Sequence, residues 1–174
     1  SMNPASMAKV LKTWLNGWVT SCRMHEDHTR PFLLGCHDED DDFSHYVHCP
    51  YICAILRFLI PSVSADPVER LGLCNPSSYK LRIVCCTFYA YHALRAKFNA
   101  RYISDHSDSC TLCGDGQSLR RAWSVFAQSF AAEAGKLSVK TRSFSLPQFI
   151  DYLCNPNETI SSSVETSYLL PLQG

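Results

Sequence analysis

The sequence predicts an all-α domain of five or six helices with a small cysteine–histidine knuckle near its N-terminus. Three observations carry that expectation. Apolar residues recur every three or four positions in several segments. No run of alternating apolar and polar residues marks a strand. Cysteines and histidines gather around a turn between residues 22 and 50.

The elements follow in order. Val10, Leu11, Trp14, Leu15 and Trp18 recur at helical spacing, so a first helix is expected over residues 5–21, capped by Asn3 or Ser6. Residues 22–30 are polar and carry Cys22, His25 and His28, and Pro31 ends them. Gly35 allows a tight turn. The acidic run 38–42 then reads as the solvated start of a short helix over 41–48, because carboxylates suit the positive end of its dipole. Pro50 limits or kinks that helix before an apolar one over 52–60. One helical turn fits near 67–71, with Asp66 as cap and Pro67 first. Residues 78–104 form the longest helix, apolar around much of its girth and therefore central. Another runs over 118–136, with Gly135 as its terminator. A short one covers 146–154, with Pro147 at its start. The Ser/Thr-rich stretch from 155 reads as irregular. This divides the chain into an N-terminal helix (1–21), a knuckle with its following helix (22–60), a helical core (61–154) and a tail (155–174). The first helix should pack on the longest through Trp14 and Trp18.

Composition bounds the function. A chain of 174 residues buries roughly 70% of its unfolded surface and needs no staples to fold. Its 46% hydrophobic and 18% charged residues exclude wholesale disorder. Sixteen basic and sixteen acidic residues cancel, so any nucleic-acid role rests on a local patch. Ten cysteines and seven histidines are the excess. The polar opening 1–4 does not read as a signal peptide, and an intracellular setting, nucleus or cytoplasm, is expected. There thiols bind metal or lie buried more often than they form disulfides. The longest apolar run, 51–60, is broken by Arg57 and too short to span a bilayer, so no membrane partner is expected.

Cys36, His45 and Cys49 form the leading candidate metal site. His45 and Cys49 are four apart, which puts both on one helix face. Cys36 returns from the preceding turn. Zinc takes four such ligands as a tetrahedron. His28, His25, Cys22 and His37 are the candidates for the fourth. Cys110 and Cys113, two residues apart and followed by Gly114, form a possible second half-site with His106 four residues before. A plain loop with two reduced thiols is the alternative there, and a redox pair a lesser one. Cys85 and Cys86 point about 100° apart on a helix and read as core. His92 reads as a core or boundary histidine, and Cys53, Cys74 and Cys154 as ordinary thiols. Arg95, Lys97 and Arg101 beside Phe98 and Tyr102 form one basic group, and Arg120 and Arg121 beside Trp123 another. Cations among aromatics can grip nucleic acid by charge and stacking. They can equally be the solvated face of helices whose rings are core.

The order Trp14-Leu15-Asn16-Gly17-Trp18, Arg23-Met24-His25, Gly35-Cys36, His45-Tyr46 and Cys49-Pro50 resembles the zinc-knuckle region that follows reverse transcriptase in some non-long-terminal-repeat retrotransposon polyproteins. The resemblance covers about residues 12–50. The family's ligands are two cysteines, a histidine and a cysteine, and the last three fall on Cys36, His45 and Cys49. Its first cysteine falls at or near Phe32. Either His25 or His28 takes over, or the metal is lost and the fold kept. The resemblance implies a structural Zn2+ and a module that positions RNA template or target DNA beside a polymerase.

No phosphate-cradling glycine loop and no His-Glu-x-x-His helix is present. The expected function is therefore non-enzymatic: a zinc-stabilised module binding RNA or DNA. The alternatives are a protein-interaction module with structural zinc, and a cysteine- or metal-dependent enzyme.

Overall fold

Asn3 and Pro4 start the first helix. The Asn3 side chain accepts the Ser6 amide at 2.8 Å and Pro4 takes the first helical position, giving α1 (Pro4–Trp14). The computed structural model describes residues 2–20, 24, 32–34, 36, 41–102 and 116–154, and only the backbone of 99–102 and 116–118. Among the described residues there are seven helices and no strand, so the chain is all-α.

α1 stops at Trp14, well short of residue 21. Asn16 takes a left-handed backbone (φ 51°), its amide donates to Thr13, and the Gly17 amide reaches back to the Lys12 carbonyl. That closes the helix as a Schellman motif. Apolar spacing alone carries on to Trp18 and cannot register this stop. Gly17 is required there, because a methyl group on it would lie 2.9 Å from the Lys12 carbonyl oxygen.

Asp42 caps α2 (Phe43–His48), accepting the Ser44 amide at 3.2 Å. Pro50 begins α3 (Pro50–Leu59) as a separate helix rather than kinking α2. Asp66 and Pro67 start α4 (Pro67–Arg70) as the sequence predicts. The long helix α5 (Ser78–Tyr102) ends near its expected limit, and α6 (Gly116–Lys136) begins two residues early. Gly135 does not terminate α6. The left-handed residue is Ser138 (φ 55°), and the Val139 amide donates to Ala134 at 2.9 Å, which places Gly135 inside the last turn. α7 (Leu146–Cys154) matches the expected range, with Pro147 second. Gln148 reaches back to accept the Ser145 amide at 3.3 Å.

α5 lies at the centre. It packs on α6 and on α1, while α3 contacts α6 and α7. Cys85, Cys86, Ala90, Tyr91 and Leu94 are all fully buried along it, as its apolar girth predicts. Trp14 packs against the small Val10–Val84–Cys85 cluster and donates its indole N–H to Leu71 at 2.8 Å. Trp18 lies beyond α1 but still packs on α5: it stacks on Tyr91 at 5.0 Å and meets Phe88 edge-on at 5.1 Å. No helix among the described residues is long and apolar enough to cross a membrane.

Candidate metal centre and basic cleft

Two helices and a turn build the candidate metal centre. His45 rides on α2, and Cys49 is the single residue between α2 and α3. Cys36 approaches from the turn that begins at Phe32. Their ligand atoms all lie within 4.8 Å of one another, and the two sulfurs are 3.9 Å apart. A tetrahedral zinc with Zn–S bonds of about 2.3 Å holds two sulfurs about 3.8 Å apart. A disulfide would need about 2.05 Å. The donor set and its spacing therefore fit a zinc-like ion.

The surroundings fix each ligand. Cys49 caps α3, its sulfur accepting the Ile52 amide at 3.4 Å. The Ile52 and Tyr51 amides at this helix start favour the thiolate, but burial and the neighbouring Cys36 outweigh them and push the Cys49 thiol far up. A bound cation would offset that penalty directly. Phe32 packs edge-on against the His45 ring at 4.3 Å. Phe32 thus buttresses the imidazole. The Trp123 indole of α6 donates to the Leu34 carbonyl at 2.9 Å and anchors the turn two residues before Cys36.

A buried network orients α2 from below. Asp41 is 3% exposed, which corrects its reading as part of a solvated acidic run. It accepts the Tyr91 hydroxyl at 2.6 Å, and it also bonds the Tyr46 hydroxyl and the Arg95 guanidinium. Burial holds the Tyr46 phenol well above its ordinary value, so it stays a donor. Arg70 of α4 donates to the Val47 carbonyl in the last turn of α2 and to Ala65 at 3.1 Å. Sequence reasoning missed this network. Its one local trace is Tyr91 and Arg95, four apart on a helix that is otherwise core.

Arg95 is accordingly removed from the candidate nucleic-acid residues: it is 4% exposed and neutralises Asp41. The stacking rings are corrected too, since Trp123 and Phe98 both belong to the core. Lys97, Arg120 and Arg121 are exposed and are brought together on one cleft of about 1080 Å³ between α5, α6 and α7. Val125, Leu146, Pro147 and Ile150 form its aliphatic wall, and Asp151 also lines it. His25, His28, Cys22, His37, His106, Cys110 and Cys113 lie outside the described residues, as do the side chain of Arg101 and the stretch 155–174.

Cys85 and Cys86 are core, as predicted, and burial raises both thiols, Cys86 to about 12. A cysteine nucleophile needs a lowered value. Comparison with known proteins adds no relative: no family model, curated protein or solved structure matches the chain.

Proposed function

We propose that the chain is a non-enzymatic, zinc-stabilised module that binds nucleic acid and resembles the C-terminal part of a retroelement reverse transcriptase polyprotein. The convergence of Cys36, His45 and Cys49, with sulfurs 3.9 Å apart, carries this reading. Two thiols and an imidazole are a donor set suited to zinc. The ion's work is structural: it ties the turn at Cys36 to the α2–α3 junction. The three cations on the α5–α6–α7 cleft support contact with phosphate.

Elemental analysis of the natively purified chain is the direct test. One zinc per chain is expected, falling to background in Cys36→Ser and His45→Ala. Two would revive the Cys110 and Cys113 site. A chain that carries no metal and takes up none would end the proposal. RNA and DNA affinity is then measured across a salt series, where phosphate contacts give a steep loss.

A protein-interaction module is the competing reading. Leu11 and Leu15, 48% and 78% exposed and four apart at the end of α1, favour it. It predicts metal without nucleic-acid affinity, so the same salt series separates the two.

A further inference from the structure

The cleft between α5, α6 and α7 also constrains which form of nucleic acid fits. We propose that it seats the sugar–phosphate backbone of a base-paired stem, read without base stacking. This rests on the nucleic-acid reading above and assigns its surface.

Charge comes first. Among the described residues, the cleft is lined by Lys97 of α5, Arg120 and Arg121 of α6 and one carboxylate, Asp151, in a chain whose net charge is zero. The excess is local, so the occupant is anionic. Shape comes second. A cleft of about 1080 Å³ is at or above the upper end of small-molecule sites and open enough for a polymer. The lining chemistry decides the form. Single strands are held by bases stacked on aromatic rings. Among the described residues no ring lines this cleft, and the nearby Trp123 and Phe98 are turned into the core. Bases that meet no platform are best left stacked on each other, as they are in a stem. The wall of Val125, Leu146, Pro147 and Ile150 offers aliphatic surface to sugar faces. Gln128 and Ser124, bonded to each other at 2.8 Å, add neutral polar groups.

Fluorescence anisotropy on the full chain tests this, using a labelled RNA stem-loop, its DNA counterpart and an oligo(U) strand over a salt series. The stem is expected to bind more tightly than oligo(U). Lys97→Gln, Arg120→Gln and Arg121→Gln should each weaken stem binding and lower the log–log salt slope by about one. Arg57→Gln, an exposed cation that does not line the cleft, should change neither slope nor affinity beyond a general charge effect. All variants are checked for helix content and metal content. If the stem binds but the three slopes match the parent, the cleft is not the surface, while the nucleic-acid reading survives. Preference for oligo(U) overturns the base-paired form. Binding of poly-glutamate in place of nucleic acid, lost in the same three variants, would make the cleft an acidic-polypeptide groove and end both proposals. A chain that binds no nucleic acid ends both as well.

Discussion

Asp41 brings one negative charge into the core and is met there by one guanidinium and two phenols. Such a pair stabilises little against an apolar substitute, but breaking it on one side is costly. Asp41→Ala should therefore lower unfolding free energy by about 3–5 kcal/mol in urea titration, because Arg95 is left charged and buried. Pairing Asp41→Leu with Arg95→Met should restore much of that loss. A double variant no more stable than Asp41→Ala would show that the network is not what supports α2. At this scale the sequence shows Cys36, His45 and Cys49, since turn and helix spacing set their convergence locally. Asp41 stays hidden. Its partners Tyr91 and Arg95 lie about fifty residues away, and nothing in a run of acids marks Asp41 as pointing inward.

Helix starts proved easier to read than helix ends. Asn3, Asp66, Pro67 and Pro50 act through their own side chains or rings, so their effect is local. The ends depend on one left-handed residue, and at Asn16 and Ser138 that residue is not glycine. A left-handed non-glycine costs roughly 1–2 kcal/mol. Gly135, in contrast, sits in a helical turn with nothing within 4 Å of an added methyl group. Gly135→Ala should therefore stabilise the fold by about 0.5–1 kcal/mol, and Ser138→Gly by a similar amount, both read as a raised melting temperature. A drop on Gly135→Ala would mean that the last turn of α6 needs glycine after all. α2 and α3 were legible as separate pieces only because Pro50 interrupts them.

At the scale of the whole molecule, the all-α class was legible because α5 and α6 are long, α6 with one apolar face and α5 apolar around much of its girth. Their mutual packing, and the cleft it opens with α7, was not, since no local spacing encodes which faces meet. Acid sensitivity also belongs to this scale. His92 lies among Trp18, Phe88 and Tyr91, with Lys12 of α1 the nearby charge. Burial, with Lys12 adding to it, pushes its imidazole from 6.5 down to about 4. The unfolded chain takes up a proton below about pH 6.5, whereas the folded chain resists until about 4. Stability should thus be complete above 6.5 and decline as the pH falls towards 4. His92→Phe should flatten that part of the melting-temperature profile, and an unchanged slope would remove His92 as its source. The Trp123 bond to Leu34 has a consequence of its own. Arg120 and Arg121 lie within one turn of Trp123 on the same helix. Rolling α6 to re-aim those guanidiniums would break the indole's grip on the turn that carries Cys36. The helix behaves as an axle keyed at a single azimuth, so the direction in which its two arginines face is set by the bond that one indole makes.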